Sequence, residues 1–173
     1  MAMITPLITP PAHLLPWLTH TTYLMQELKK KAGDAHLDIL SQSWAITTDW
    51  DQHILHLDDE LVLHRDVVIL AYETPCWFAR TILPATTYQT DELLFERLER
   101  EPLGNIIFNN TAIERVSLRY YPIDPSDAEY TWIPASIYQG QKKLWMRLSQ
   151  FAVHHKTSFY LVEIFLPGLE KYS

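Results

Sequence analysis

The sequence predicts an α+β fold, a single domain over residues 1–173 with an antiparallel sheet of about six strands flanked by helices, and a helical hairpin inserted midway. Three observations predict it. Six runs are rich in Val, Ile, Leu and aromatic residues, and two intervening stretches switch to helical period. Short turns between the consecutive strand-like runs in the middle of the chain favour antiparallel pairing. No repeat, linker or low-complexity segment divides the chain.

Composition sets the outer limits. At 173 residues, 47% hydrophobic and 20% charged, the chain can bury a substantial core and is not a disordered polymer. A net charge of −7 argues against a nucleic-acid partner, while leaving room for a few basic side chains to hold a small anion. The lone Cys76 permits neither an intrachain disulfide nor a cysteine metal site, which fits a reducing cytoplasm. The apolar start "MAMITPLITPPAHLLPWLTH" lacks a basic leading region and is broken by four prolines, so it reads as neither a signal peptide nor a membrane helix. Residues 1–15 are expected to form an extended arm.

Each element has a local reason. Pro16 to Ala32 places Leu18, Leu24, Met25 and Leu28 at helical spacing, with Lys29, Lys30 and Lys31 at the C-terminal end and Gly33 as the stop. "AHLDILSQSW", "LVLHRDVVILAYE" and "CWFARTILP" then read as consecutive strands. "TDELLFERLEREPLGNIIF" predicts a helix capped by Thr90 and a second, short helix after Pro102; residues 90–108 leave the sheet and are expected to form part of a lid. "TAIERVSLRYY", "LWMRLSQFAV" and "FYLVEIFLP" complete the strands, with an irregular excursion from Pro122 to Gly140.

Two strands each carry a charge inside an apolar run. "CWFARTILP" holds Arg80, and "FYLVEIFLP" holds Glu163, each a few residues before a Leu-Pro ending. By the period of two, Phe78, Arg80 and Ile82 share one face with Cys76, and Phe159, Leu161, Glu163 and Phe165 share one face of theirs. One reading is a buried structural ion pair between Arg80 and Glu163. The other is a flat apolar slot, cationic at one end through Arg80 and anionic at the other through Glu163. In "EPLGNIIF" the helix start leaves the N–H groups of Leu103 and Gly104 without intrahelical partners, either capped in the ordinary way or available to a carboxylate. His53, His56, His154 and His155 read as exposed turns rather than zinc ligands, and Ser149 and Ser158 lack a nucleophile's context.

Taken in order, "CWFARTILP", "EPLGNIIF", "LWMRLSQF" and "LVEIFLP" resemble the chorismate pyruvate-lyase family, from about Trp17 to Pro167. The resemblance implies an antiparallel sheet with a site buried under a helical flap. It implies conversion of chorismate to 4-hydroxybenzoate and pyruvate toward ubiquinone, by a cytoplasmic monomer without cofactor or metal. Nucleic acid and stable membrane insertion have no part in it. By the same resemblance Arg80 holds a ligand carboxylate, Glu163 meets the ring hydroxyl, and Leu103 gives a main-chain contact. A fourth contact falls near Leu24, although Tyr23-Leu24-Met25 replaces the family's Ser-Leu-Thr. Leu148 likewise stands beside Arg147 where the family tends to have a second Arg. A different class of function is a non-catalytic sensor or carrier of aromatic acids, because ligand-binding modules of some bacterial regulators are similar in fold.

Overall fold

The computed structural model describes residues 8–173. The first seven residues of the expected N-terminal arm lie outside them. Instead of one helix from Pro16 to Ala32 there are two, α1 (Leu15–Leu18) and α2 (Leu24–Ala32), because the polar stretch His20-Thr21-Thr22 interrupts the apolar spacing. The end of α2 is as expected: Gly33 adopts φ 91°, a left-handed conformation suited to glycine, and its N–H reaches the Lys29 carbonyl at 2.9 Å.

Strand β1 (His36–Ile46) forms one edge of the sheet. It leads into α3 (Asp49–Leu55), a helix that the apolar pattern did not signal but its capping residues do. Thr48 accepts the Asp51 N–H at 3.2 Å, while Asp51 accepts the Thr48 N–H at 2.9 Å. The same carboxylate contacts His64 Nε2 at 2.9 Å. Burial pushes the Asp51 carboxyl up, but the His64 and Thr48 hydrogen bonds outweigh it and hold the group below its ordinary value.

The sign of the pH effect follows. A carboxyl lowered by folding contributes stability above its unfolded pKa of about 4 and loses that contribution as pH falls through the folded value. Asp51→Asn is therefore expected to cost about 1–3 kcal/mol at neutral pH and to shrink that deficit below about pH 4. Chemical denaturation at pH 7 and pH 3 checks this.

Strands β2 (Leu61–Ala71) and β3 (Thr74–Pro84) form a hairpin, with Tyr72 at φ 54° in its turn. After them α4 (Ala85–Thr90) and α5 (Glu92–Phe95) take the place of the single helix expected to start at Thr90. Thr90 ends α4, its hydroxyl donating to the Thr86 carbonyl, and the α5 cap is Asp91, whose Oδ1 accepts the Leu94 N–H at 3.3 Å. A 3₁₀ turn over Glu96–Glu99 leads to α6 (Leu103–Ile107), which begins after Pro102 as the sequence indicates. Strands β4 (Ile113–Ile123), β5 (Leu144–Val153) and β6 (Thr157–Phe165) complete a six-stranded antiparallel sheet in the order β1-β2-β3-β6-β5-β4.

The two faces of this sheet have different covers. Leu55 of α3 and Trp132, Ile133 and Ile137 of the excursion after β4 pack on one face, against Phe78, Met146 and Ile164. On the other face, α1 and α2 cover one apolar cluster around Trp17, Leu28 and Trp77. Segments α5 and α6 cover a second around Phe95, Leu98 and Ile106. Leu161 touches both clusters, and the space between them is where the site lies.

Candidate active site

Beneath α2 and α6 is a cavity with about 540 Å³ of empty space, its mouth included. Trp77, Phe108, Phe151, Val67, Ile69 and Leu161 give it an apolar wall suited to a flat ring. Leu24, Leu103 and Glu163, three of the residues singled out from sequence, line it. Arg80 does not.

The register explains the correction. Across the β3–β6 pair, Ala79 stands opposite Glu163 and Arg80 opposite Val162, so Arg80 and Glu163 lie on opposite faces of the sheet. The Arg80 fork is closed on Asp66, Nε to Oδ1 at 2.7 Å and an Nη to Oδ2 at 2.8 Å, and lies 4.3 Å from the Trp132 ring centre. Neither the direct pair nor the slot between these two groups is present. Cys76, also placed with Phe78 and Arg80, instead joins the Trp77 cluster, because the β2–β3 register shifts between Ile69 and Leu70.

Three other arginines line the cavity: Arg65 from β2, Arg115 from β4 and Arg147 from β5. Arg65 follows from the strand alternation, since its neighbours His64 and Asp66 turn to the other face to meet Asp51 and Arg80. One Arg65 Nη donates to the Glu101 carbonyl at 3.0 Å, just before α6, and its Nε is buried with no partner among the described residues. Burial lowers this guanidinium to about 10, which leaves it protonated at neutral pH. Sequence reasoning missed Arg65 because it stands in a polar triplet, His64-Arg65-Asp66, and not, like Arg80, as the single charge of an apolar run.

At the β5–β6 side, Arg147 stands opposite Glu163 and donates Nε to its Oε1 at 2.6 Å; both are buried. Arg147 also holds the Trp17 and His20 carbonyls, at 3.1 and 2.6 Å, and so fixes the chain between α1 and α2. Glu163 is thus oriented by an arginine on its own face. Its second oxygen has no hydrogen bond to another described residue.

The cover is closed by contacts between its two parts. Tyr23, the residue before α2, stacks on Phe108 with ring centres 5.6 Å apart and donates its hydroxyl to Asn105 Oδ1 at 3.0 Å. Its ring lies against Gly104, where any Cβ would overlap it. Burial raises the Tyr23 phenol, which keeps it a neutral donor.

Together the fold and the cavity define an α+β domain whose apolar cavity lies between an isolated guanidinium and a carboxylate–guanidinium pair, a lining that suits a small, flat anion. The family model described as chorismate lyase matches residues 4–172, and the chain belongs to that family. A probable chorismate pyruvate-lyase of Aromatoleum aromaticum is 31% identical over 162 residues, covering 92% of this chain and 87% of that protein. One from Pseudoalteromonas atlantica is 28% identical over 171 residues, covering 94% and 84%. Among solved structures, a GntR-family transcriptional regulator from Bacillus cereus superposes with a TM-score of 0.56 at 14% identity, covering 77% of this chain and 92% of that one. The effector domain of PhnF from Mycobacterium smegmatis gives 0.54 at 15% identity, over 82% and 86%. These two show a shared fold. No helix among the described residues is long and apolar enough to cross a membrane.

Proposed function

We propose that this protein converts chorismate to 4-hydroxybenzoate and pyruvate. The observation that carries the reading is a buried, open guanidinium, Arg65, in one apolar cavity with a buried Glu163 carboxylate. A para-substituted ring acid with a hydroxyl presents the matching groups. Arg65, rather than Arg80, takes the ring carboxylate. Glu163 accepts the hydroxyl, and the N–H groups at the starts of α2 and α6, through Leu24 and Leu103, give main-chain contacts.

In the reaction the ring carbon bearing the hydroxyl loses its proton, and that electron pair completes the aromatic ring as the neighbouring C–O bond breaks. The three-carbon fragment leaves as enolpyruvate and becomes pyruvate when its methylene carbon is protonated. Aromatisation drives the step, so the protein has mainly to hold proton and leaving group in alignment within a site shielded from water. Under the same reading it acts as a cofactor-free cytoplasmic monomer on the route to ubiquinone. Incubating the purified protein with chorismate tests this: equimolar 4-hydroxybenzoate and pyruvate are expected, and saturable 4-hydroxybenzoate binding without turnover would instead make it a sensor or carrier.

The closed cover makes product release the expected slow step. Tyr23→Ala removes a hydrogen bond and an aromatic contact from the closure, and is expected to speed 4-hydroxybenzoate dissociation roughly 10- to 100-fold. Stopped-flow displacement measures it. An unchanged dissociation rate would remove Tyr23 from the closure.

A further inference from the structure

The charge count inside the cavity points past a single carboxylate. Arg65, Arg115 and Arg147 line it, and among the described residues Glu163 is the one acidic residue in its wall. Two positive charges are left without a counterion in apolar surroundings, an arrangement that favours a dianion. Arg147 is not one of the open groups, because Glu163 and two backbone carbonyls occupy it. Arg65 and Arg115 are alike in giving one N–H to a backbone carbonyl and keeping a buried Nε with no partner among the described residues.

The sheet order puts the two open cations on opposite sides of Glu163: Arg65 is on β2, two strands to one side of β6, and Arg115 is on β4, two strands to the other and next to the Arg147 strand. Arg115 is lowered by burial and by Arg147 and is partly restored by Glu163, which places it in the field of that pair. Burial accounts for Arg65, with no comparable influence from another charge. The Arg115 guanidinium carbon lies 5.0 Å from the Phe151 ring centre and 6.0 Å from that of Phe108, both in the cavity wall, and one Nη donates to the Thr21 carbonyl at 3.0 Å.

We infer that Arg115 binds a second substrate carboxylate, the one carried by the three-carbon fragment that leaves as pyruvate. The inference rests on the reading of the substrate as chorismate. There the enolpyruvyl ether sits on the ring carbon next to the hydroxyl-bearing one. With the ring carboxylate on Arg65 and the hydroxyl on Glu163, the second carboxylate falls on the Glu163 side, where Arg115 stands. Arg115 therefore separates substrate from product: 4-hydroxybenzoate keeps its contacts with Arg65 and Glu163 and offers Arg115 nothing. Breaking the C–O bond severs the ring from the group that Arg115 holds.

The test compares 4-hydroxybenzoate with a stable dianion, 3-(carboxymethoxy)-4-hydroxybenzoate, by calorimetric titration of the wild type and of Arg115→Met, Arg115→Gln and Arg115→Lys. Arg115→Met is expected to weaken the dianion on the order of a hundredfold while changing 4-hydroxybenzoate affinity by no more than about threefold. Arg115→Gln should behave similarly, and Arg115→Lys should recover part of the loss through its charge. For chorismate, kcat/KM should fall in parallel with dianion affinity. An equal loss for both ligands would make Arg115 only a tie to Thr21, and no loss for either would remove it from recognition; both overturn the inference. Should the wild type not convert chorismate yet show the Arg115-dependent preference, the lyase reading fails while the dianion site stands. Thermal melts identify a misfolded variant, and the remaining substitutions then carry the comparison.

Discussion

Glu163→Gln is expected to fold, to retain 4-hydroxybenzoate binding, and to lose roughly 10²- to 10³-fold in chorismate turnover. The amide keeps an oxygen that can accept the Arg147 Nε–H, so the bond now 2.6 Å long can persist in neutral form. What disappears is the negative charge beside the reacting carbon. Glu163→Ala is a different experiment. It leaves the buried Arg147 without its carboxylate, and breaking a buried pair in this way costs about 3–5 kcal/mol. A rate and a melting curve on both variants separate the two effects: a near-wild-type rate for the Gln variant would remove Glu163 from the chemistry, whatever the Ala variant does to stability.

The second large effect is expected at Arg65, with Arg80 as its control. Arg65→Met removes the isolated cation of the cavity, and affinity for both chorismate and 4-hydroxybenzoate should fall roughly a hundredfold, because both carry the ring carboxylate. Arg65→Lys should restore part of this, a point charge being a poorer match than a planar fork to a carboxylate. Arg80→Met acts elsewhere. It strands Asp66, which is 7% exposed, on the opposite face of the sheet and is expected to cost about 2–4 kcal/mol of stability. Measured well below its melting temperature, that variant should keep kcat/KM within about threefold of wild type. The reverse result, with Arg80 controlling affinity and Arg65 only stability, would refute the assignment of the cation.

Local features were the readable ones. Alternation of apolar and polar residues marks the strands, three lysines followed by Gly33 end α2, and Pro102 opens α6; each follows from interactions among residues close in sequence. Glu163 could also be recognised, since a carboxylate in the middle of "FYLVEIFLP" requires a partner wherever that strand lies. Even α3 was legible in principle through Thr48 and Asp51, a signal that outranked a weak apolar pattern.

By itself, then, the sequence determined the α+β class and most strands, and it marked the carboxylate that the structure places in the cavity wall. The tertiary structure decided which arginine accompanies it. Period two tells which residues of one strand share a face, but says nothing of how that face aligns with the next strand, and a one-residue difference in pairing moves a side chain to the other side of the sheet. Pairing Ala79 with Glu163 sends Arg80 to Asp66 and Trp132, while Arg65, Arg115 and Arg147, from three separate strands, come together over a distance in sequence that no local pattern spans.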